Sequence, residues 1–511
     1  MRVASGVSKW SRVAISGAAL GAFAVAALAV EPPALIDSSA VVEATMEVAT
    51  EGITHEENLG QQAALNKWLR GELPPTAVDT PVRVELTQEQ INSIEFPEPV
   101  NGEPLKVGVV VPVTSRLRLD GLSTPNRGTL KGADQVGGGT LTPTADGGYV
   151  WSAAITSDNA GAIRVHLENF WLPMNAELYF YSRWGEAYGP YTGAGPDGAA
   201  LDGTGEFWTP SVFGAEGILQ LRVTGNMDDA DLQDISLRVT EVGHIGRGVF
   251  GLPGDAQGGV ASFCPTNASC VVNTNCVNEP IVNPVELAVA KMIWISGAYI
   301  YTCTGGLIAD TVPSSQIPYF LTANHCLSKN NTNLEAFFQY QAACGSTGNC
   351  TGTWDDPPPG SFAGKTVGAT VKATNRKGDF TLLQLSQNPP AGSVFLGWTA
   401  TPVANSNNTP LYRVSHPSGA PQSYSDQTVS TSAPTCRGWP RGERVYSRGV
   451  NGATEGGSSG SPVVNASSQI VGQLSGCCGT NCANVCNNVN NATVDGAFAY
   501  YYNSVRPFLA P

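Results

Sequence analysis

Short runs in which apolar and polar residues alternate fill the chain between residues 148 and 242. Alternation with a period of two is typical of strands that bury one face, and Asp-Gly and Gly-Pro turns separate the runs. We therefore predict strands over residues 149–155, 163–170, 176–181, 207–213, 218–223 and 235–242. Strands of this length and spacing indicate a β-sandwich of the jelly-roll type, and we give this domain the bounds 140–247.

The flanking parts of the chain have a different pattern. Residues 30–139 form an acidic N-terminal segment in which only a helix over 56–69 and a strand over 107–113 can be predicted. A Gly/Pro-rich stretch at 248–261 is predicted to be a linker. Beyond it, short apolar runs return among many Asn, Ser and Gly turns, so we predict a second, mainly β domain over 262–511.

The N-terminus has the three parts of a secretory signal peptide, for which we give the bounds 1–29. Arg2, Lys9 and Arg12 form a basic start, the stretch 13–30 is apolar, and Ala-Leu-Ala29 has the small residues that a signal peptidase needs. A retained membrane anchor is the alternative, but the apolar run is short for a membrane span and ends in Glu and Pro. The mature protein is therefore expected to be secreted and free of the membrane.

The charge of the chain is unevenly distributed. Its 511 residues include 28 Lys and Arg against 42 Asp and Glu, a net charge of −14, which argues against nucleic acid or an anionic membrane as partner. Residues 30–258 carry 13 basic and 31 acidic residues, whereas residues 259–511 carry 12 basic and 11 acidic ones. The acidity therefore belongs to the N-terminal half and says little about what the C-terminal half binds.

All 12 cysteines lie between Cys264 and Cys486, and the first 263 residues contain none. An even number of cysteines in an exported protein is typical of disulfide bonds. The sequence contains no Cys-x-x-Cys motif with partner histidines and no His-Glu-x-x-His motif, so we predict no metal and no cofactor.

Three short sequences in the C-terminal half contain the groups that acyl transfer on a peptide needs. Leu-Thr-Ala-Asn-His325-Cys offers a general base, Lys-Gly-Asp379-Phe-Thr-Leu-Leu a carboxylate to orient it, and Gly-Gly-Ser-Ser459-Gly-Ser-Pro a nucleophile. The Gly-rich turn around the serine would also supply backbone N–H donors for the developing oxyanion. Each sequence alone is common in structural loops. Their occurrence together in one exported, disulfide-rich region favours a catalytic interpretation.

The same serine loop also matches Gly-x-Ser-x-Gly, the nucleophile elbow of lipases and esterases, with Ser458 at its centre. That architecture places its histidine after the serine, and no histidine follows His416 in this chain. The elbow interpretation is therefore rejected. We expect His416 itself in a surface loop or at a substrate subsite.

Thr-Ala-Asn-His325-Cys resembles the Thr-Ala-x-His-Cys motif of the chymotrypsin-fold serine proteases, and Gly-Ser-Ser459-Gly-Ser-Pro is similar to their Gly-Asp-Ser-Gly-Gly-Pro. The bacterial lysyl endopeptidase branch is closer still, because it carries Gly-Ser-Ser-Gly-Ser-Pro, Ser-Asp-Phe-Thr-Leu-Leu and Val-Leu-Gly-Gln-Leu. This chain has Gly-Asp379-Phe-Thr-Leu-Leu and Ile-Val-Gly-Gln-Leu. The resemblance covers residues 262–510, and residues 140–247 resemble the N-terminal half of related bacterial precursors.

The resemblance implies a trypsin-like fold of two β-barrels. The expected fold class is therefore mainly β, a double β-barrel preceded by the sandwich domain. The resemblance also implies that Ser459 is the nucleophile, His325 the general base and acid, and Asp379 the residue that orients the histidine. The N–H groups of Gly457 and Ser459 would form the oxyanion hole, and polypeptides would be the substrates.

Three disulfides are implied by the same resemblance. They are Cys303–Cys326, Cys276–Cys344 and Cys270–Cys482. The remaining six cysteines cannot be paired from the sequence, and they are Cys264, Cys350, Cys436, Cys477, Cys478 and Cys486.

The residues that would select the side chain before the cleaved bond depart from the family pattern. Trypsin has an aspartate six positions before its nucleophile, where this chain has Ala453. Asp495 and Glu455 are the acidic candidates for a basic-specific pocket, since a carboxylate facing Lys or Arg is the usual basis of such a pocket. Specificity for Lys or Arg therefore stays open. The other expected pocket residues are Ser475, Gly476 and Gly496.

The predicted protein is a secreted serine endopeptidase, made as a precursor and acting as a monomer. Its prosegment, residues 30 to 258, would assist folding or block the active site as an intramolecular partner. No Lys or Arg occurs between Arg247 and Lys291, so a basic-specific enzyme that matures itself must cut after Arg247. The alternative is a non-catalytic, disulfide-rich binding module of the cell envelope, which would not need all three candidate catalytic residues.

Overall fold

The structure is a computed structural model, and it describes residues 43–74, 79–95, 103–114, 117–121, 133–196, 205–225, 233–246, 267–312, 314–342, 344 and 364–511. The predicted signal peptide, the predicted linker and Arg247 lie outside these residues. Within the described ranges, no helix is both long enough and apolar enough to cross a membrane.

The N-terminal half of the described chain is a sandwich of two sheets with two helices. Its elements are β1 (Glu43–Ala44), β2 (Glu47–Val48), α1 (His55–Glu72), β3 (Val82–Val84), α2 (Gln88–Glu95), β4 (Leu105–Pro112), β5 (Arg118–Asp120), β6 (Asp134–Val136), β7 (Gly139–Pro143), β8 (Tyr149–Ser157), β9 (Ala160–Trp171), β10 (Ala176–Tyr181), β11 (Ala187–Tyr191), β12 (Phe207–Trp208), β13 (Val212–Phe213), β14 (Glu216–Val223) and β15 (Ser236–Gly246).

The two sheets of the sandwich enclose one apolar core. One sheet has the order β6-β7-β8-β14-β10-β11, and the other places β9 between β15 and the short strands β12 and β13. Side chains such as Trp151, Leu167 and Leu219 are fully buried between them. The strands predicted from alternation are found, except that the run 207–213 is divided in two. Pro210 has no N–H for the ladder with β9, which explains the break between β12 and β13.

Helix α1 begins at a capping box and covers the outer face of the first sheet. The Glu57 N–H donates to the Thr54 hydroxyl at 3.2 Å, and the Thr54 N–H donates to the Glu57 carboxylate at 2.9 Å. One turn from the other end of the helix, Leu69 is fully buried against Tyr179 and Tyr181 of β10. The amphipathic pattern over 56–69 therefore predicts the helix correctly, and its apolar stripe lies on the sandwich.

The C-terminal half contains fifteen further strands and two α-helices among the described residues. Its elements are β16 (Val272–Asn273), α3 (Val282–Ala288), β17 (Val289–Ser296), β18 (Tyr299–Leu307), β19 (Tyr319–Thr322), β20 (Asn331–Phe338), β21 (Gly364–Asn375), β22 (Phe380–Leu385), β23 (Val394–Phe395), β24 (Trp398–Thr399), β25 (Pro410–Ser415), β26 (Ser423–Val429), β27 (Arg444–Gly452), β28 (Pro462–Val464), β29 (Ile470–Gly479), β30 (Asn491–Ala497) and α4 (Phe498–Leu509). Two short 3₁₀ helices lie at Thr274–Cys276 and Pro417–Gly419.

These strands close into two six-stranded barrels. The first has the order β18-β17-β20-β21-β22-β19, and β19 pairs again with β18. The second has the order β29-β28-β25-β26-β27-β30, and β30 pairs again with β29. Helix α4 lies against strands of both barrels. The expected fold class, a trypsin-like double barrel preceded by a sandwich, is confirmed.

The N-terminal half is joined to the barrels by shared β-structure. Strand β4 pairs antiparallel with β18, with Val109 opposite Tyr299 and Leu105 opposite Thr302. Strands β1 and β2 pair with β24 and β23 in the C-terminal half. Strands β4 and β5 also pair with β15, so the sandwich includes residues well before 140. The weakly patterned N-terminal segment therefore contributes to both the sandwich and the barrel surface.

Candidate active site

His325 follows strand β19 in a turn that the Cys303–Cys326 disulfide ties to β18. Its backbone N–H donates to Asp379 Oδ1 at 3.0 Å, and its Nδ1 lies 3.0 Å from Asp379 Oδ2. A carboxylate only accepts hydrogen bonds, so Nδ1 carries the proton and Nε2 keeps its lone pair. Among the described residues Nε2 is buried and has no hydrogen-bond partner. An imidazole in this tautomer can take a proton from a hydroxyl group.

Asp379 lies in the turn between β21 and β22 and has a positive φ of 51°. Its backbone carbonyl accepts from the Asn324 N–H at 3.1 Å and from Gln473 Nε2 at 2.7 Å. Gly496 lies opposite Gln473 in the sheet, and a Cβ at Gly496 would lie 2.2 Å from that Nε2. Glycine at 496 therefore leaves room for the glutamine that supports the Asp379 turn.

Ser459 lies in a tight turn that depends on two glycines with left-handed φ. Gly457 has φ 92° and Gly460 φ 82°, and a Cβ on Gly460 would lie 2.2 Å from the Thr322 hydroxyl. Thr304 holds the turn, since its hydroxyl donates to the Gly457 carbonyl and its N–H to the Ser459 carbonyl, both at 2.8 Å. The N–H groups of Gly457 and Ser459 donate no hydrogen bond to any other described residue. Two backbone donors are thus available beside the serine.

His416 lies directly behind this turn. It is fully buried, its N–H donates to the Thr304 hydroxyl at 3.1 Å, and its Nδ1 lies 2.9 Å from the Ala420 carbonyl. Burial lowers the pKa of His416 to about 3, so the ring is neutral. The expectation of a surface loop was therefore wrong. Sequence reasoning also missed Thr304, although it stands beside Cys303 in the Cys-Thr-Gly-Gly motif.

Asp495 forms a buried ion pair inside the second barrel. Its Oδ1 lies 2.5 Å from Arg413 Nη2, and both side chains are fully buried. Arg413 Nη1 also donates to the Ser461 hydroxyl at 3.0 Å. Burial raises the pKa of Asp495 even with Arg413 beside it. We therefore correct the expectation that Asp495 lies in the pocket, because its charge is already matched by Arg413 inside the barrel.

Glu455 holds the start of the C-terminal half. Its Oε1 accepts from the Ala268 N–H at 2.7 Å, and its Oε2 accepts from Asn267 Nδ2 at 2.6 Å and the Ser418 hydroxyl at 2.8 Å. All of these donors belong to the protein itself. The contacts of Glu455 in the structure are therefore with the start of the C-terminal half, and it does not belong to the described lining of the cavity beside the Ser459 loop.

Ser475 and Gly476 lie on β29, at a register shift in its pairing with β30. Ser475 is fully buried, and its hydroxyl has no hydrogen-bond partner among the described residues. Gln473, two residues before Ser475 on this strand, supports the Asp379 turn.

A cavity opens beside the loop that leads into Ser459. It is lined by β26, β27, β30 and the loop 452–454, including Ser425, Gln427, Gly452, Ala453, Thr454 and Thr493. Ala453, which stands at the position of trypsin's pocket aspartate, is one of the residues that line this cavity. No Asp, Glu, Lys or Arg belongs to the lining that the structure describes. Ser475, Gly476 and Gly496 do not belong to it either.

Five disulfides join the ten described cysteines. Cys303–Cys326 and Cys276–Cys344 are found as the resemblance implies. The pair Cys270–Cys482 is wrong, because Cys270 bonds Cys486, and Cys482 bonds Cys477 at a sequence separation of 5. Cys436–Cys478 completes the set. Cys264 and Cys350 lie outside the described residues.

Among the residues that the structure describes, two groups of side chains have atoms close enough to hold a metal ion. Cys303, His325 and Cys326 form one group, but both sulfurs are in a disulfide and cannot act as thiolates. His166, Glu168 and Glu206 of the sandwich form the other, and His166 stacks on the Trp208 ring. The first group includes His325 of the proposed site, and the second group lies in the sandwich.

Family patterns and curated relatives match the chain. The pattern of the lysyl endopeptidase C-terminal domain matches residues 264–495, and that of the lysyl endopeptidase N-terminal domain matches residues 140–246. A lysyl endopeptidase of Pseudomonas aeruginosa is 27% identical over 391 residues, which cover 74% of this chain and 75% of the relative.

Solved structures of bacterial proteases are also similar. The active form of the Rv3671c protease of M. tuberculosis is 16% identical with a TM-score of 0.31, over 48% of this chain and 91% of the other. A serine endoprotease from Yersinia pestis is 12% identical with a TM-score of 0.31, over 45% of this chain and 65% of the other.

Proposed function

Because this chain belongs to the lysyl endopeptidase family of trypsin-like serine endopeptidases, we propose that Ser459, His325 and Asp379 form its catalytic triad. The observation that carries the proposal is the arrangement around the histidine. Asp379 holds the Nδ1 side of His325 at 3.0 Å, while Nε2 is buried without a partner among the described residues. The carboxylate distinguishes this histidine from His416, whose Nε2 also lacks a partner among the described residues but whose Nδ1 lies against the Ala420 carbonyl.

In the proposed reaction the Ser459 hydroxyl attacks the carbonyl carbon of the peptide bond. His325 Nε2 takes the hydroxyl proton, and Asp379 stabilises the imidazolium that forms. The N–H groups of Gly457 and Ser459 donate to the oxyanion, a contribution of about 3 kcal/mol of barrier for each donor. The C–N bond then breaks, and His325 returns the proton to the leaving amine. Water attacks the acyl-enzyme by the same steps and restores the serine.

We further propose that the protein is exported as a precursor. The signal-peptide pattern at residues 1–29 and the five disulfides support export, since disulfides persist in oxidising compartments. Residues 30 to 258 would be the prosegment, with the linker 248–261 and Arg247 near the cleavage site and the protease domain at 262–511. The pairing of β4 with β18 supports a role in folding the first barrel, because it binds a barrel strand directly. The processed enzyme would act as a monomer.

The alternative of a non-catalytic envelope protein is not favoured. A binding module gains nothing from an oriented histidine and a glycine turn that presents a serine together with two free N–H groups. Peptides are therefore the expected substrates of the site.

The triad is tested by hydrolysis of an unfolded protein substrate by the processed enzyme and its variants. Ser459→Ala is expected to abolish cleavage, and Asp379→Asn to lower kcat by about 10⁴-fold because the histidine loses its tautomer and orientation. Ser467→Ala, at an exposed serine in the turn after β28, is the matched control and keeps full activity. Cleavage retained by Ser459→Ala in a purified preparation would overturn the proposal.

A further inference from the structure

Resting on the proposed endopeptidase function, we propose that the cavity beside the Ser459 loop selects a P1 side chain that ends in a carbonyl oxygen. P1 is the residue whose carbonyl is attacked, and glutamine and glutamate are the side chains of this kind that are long enough to cross a pocket. The same cavity rejects lysine and arginine, the P1 residues that a basic-specific pocket would take.

The position of the cavity connects it to P1. Ala453 and Thr454 line its wall and lie six and five residues before the nucleophile in the same loop. The substrate carbonyl must lie between the Ser459 hydroxyl and the N–H groups of Gly457 and Ser459. The side chain on the neighbouring Cα is then beside the 452–454 segment, at the mouth of this cavity.

The charge of the cavity excludes a basic side chain. No carboxylate belongs to the described lining, Asp495 is paired with Arg413, and Glu455 accepts three hydrogen bonds from the protein. An ammonium or guanidinium group moved from water into this cavity would lose its hydration without gaining a counter-charge. The amide and hydroxyl groups of the lining are neutral, so they supply no counter-charge in any orientation.

The charged residues near the cavity, on the strands that line it, also disfavour a basic P1 side chain. Asp426 of β26 is outside the lining and already accepts from the Asn451 N–H and the Tyr424 hydroxyl. On β27 the Arg448 guanidinium donates to the backbone carbonyls of Asn488 and Val489 and forms no ion pair with any described residue. Because Asn488 itself lines the cavity, a cation lies close to its edge. That cation disfavours Lys and Arg further.

Two polar side chains of the lining lack partners. Gln427 is 2% exposed and its Nε2 has no hydrogen-bond partner, and Ser425 is 3% exposed and its hydroxyl has none, among the described residues. Both line the cavity from neighbouring inward positions of β26. Buried donors without partners cost free energy, so a ligand that brings an acceptor recovers it. A P1 carbonyl oxygen between Ser425 and Gln427 is such an acceptor.

The cavity is kept open on its other side by glycines. Gly452 has φ 72°, and a Cβ there would lie 2.1 Å from the Tyr424 carbonyl. A Cβ on Gly449 would lie 2.9 Å from the Asn488 side chain. Larger residues at these two positions would displace the walls, so the cavity depth depends on both.

The experiment measures kcat/KM of the processed enzyme on peptides that differ only at P1, with Gln, Glu, Leu, Lys or Arg. Active enzyme is counted by labelling with a small fluorophosphonate, which needs Ser459 but not the cavity. Gln and Glu are expected to exceed Lys and Arg by about 100-fold or more, because a site with unpaired donors discriminates strongly against a ligand without an acceptor.

Variants of Gln427 test the assignment to residues. Gln427→Leu is expected to lower kcat/KM after Gln by roughly 10- to 100-fold with an unchanged labelling rate, since one buried donor is lost. Gln427→Glu is expected to raise cleavage after Lys at least about 10-fold by adding the missing counter-charge. Thr428→Glu, which places the same carboxylate one residue along β26 and outside the lining, is the matched control without a change of P1 preference.

If kcat/KM of the labelled wild-type enzyme is highest for the Lys or Arg peptide, this inference is wrong, but the proposed triad still stands. Equal cleavage after Leu and Gln would overturn the role of the unpaired donors. A processed protein that neither labels nor cleaves any of the peptides would instead overturn the proposed function, and the inference with it.

Discussion

Glu335 of β20 is the centre of a buried charge cluster that joins the two halves of the protein. Its carboxylate lies 3.3 Å from Arg164 Nη1 of β9 and 2.8 Å from Lys365 Nζ of β21, and it accepts from the Ser211 N–H at 2.9 Å and from the Ser211 hydroxyl. Burial alone would raise the pKa of Glu335, but the ion pairs with Lys365 and Arg164 hold it below the usual value. We predict that Glu335→Gln destabilises the full chain markedly.

The magnitude follows from the burial of the partners. The side chains of Arg164 and Glu335 are fully buried and that of Lys365 is 8% exposed. Removing one partner from a buried ion pair typically costs 3–5 kcal/mol, because the other charge is left without compensation. Here two cations lose their common anion, so a loss of about 4 kcal/mol in the free energy of unfolding is expected. With a slope of about 3 kcal/mol per M urea, the midpoint would fall by more than 1 M.

The assay is urea unfolding of the unprocessed chain, with Ser459→Ala introduced to prevent self-cleavage. The control is Arg83→Ala, which removes the pair Arg83–Asp158, in which the side chains are 66% and 79% exposed and 3.7 Å apart. An exposed pair is worth less than about 1 kcal/mol. If Glu335→Gln lowers the free energy of unfolding by less than about 1 kcal/mol, as little as the control does, the reasoning is refuted. The cluster would then not hold the two halves together.

Three further predictions concern the site and its surroundings. Thr304→Val removes the hydroxyl that donates to the Gly457 carbonyl, so kcat should fall roughly 10- to 100-fold while KM stays almost unchanged. The circular dichroism spectrum should be unaltered, and an unchanged kcat would contradict this prediction. Arg413→Met leaves Asp495 buried and unpaired and should lower the free energy of unfolding by about 3–5 kcal/mol, most of which Asp495→Leu in the same chain recovers. Because the folded pKa of His416 is about 3 and its unfolded value 6.5, its contribution is fully present above pH 6.5 and falls as the pH drops towards 3, by about 3 kcal/mol at pH 4. His416→Gln should flatten that part of the pH dependence of unfolding, and an unchanged slope would show that His416 does not titrate there.

The proposed reactive groups can be named from local sequence because each one lies in its own short turn. Asp379 and Gly457 each have a positive φ and lie in a turn next to a strand. Such a turn depends on a few neighbouring residues, so it can be predicted from a short segment. The six sandwich strands and helix α1 are also local, since a period of two or of 3.6 residues is visible in the letters. The two barrels follow from the family resemblance and not from the periodicity.

Long-range pairing could not be predicted in the same way. Arg413 and Asp495 lie 82 residues apart, and nothing near either residue indicates that the sheet brings them together. If that contact is unknown, Asp495 looks like an unpaired acidic residue next to Gly496. The sequence therefore suggests a pocket residue where the structure has a buried ion pair. The disulfide Cys270–Cys486 and the pairing of β4 with β18 depend on strand register in the same sense. Gln427 lines the same cavity as Ala453, but no local sequence motif marks it as a pocket residue.

The most direct test of the account is to locate the adduct of a fluorophosphonate on the processed protein by mass spectrometry. The account predicts one adduct per molecule, on the peptide that contains Ser459, and a much slower labelling rate in His325→Ala and Asp379→Asn because the serine is no longer activated. An adduct on a different serine, or none on a folded and processed protein, would contradict it.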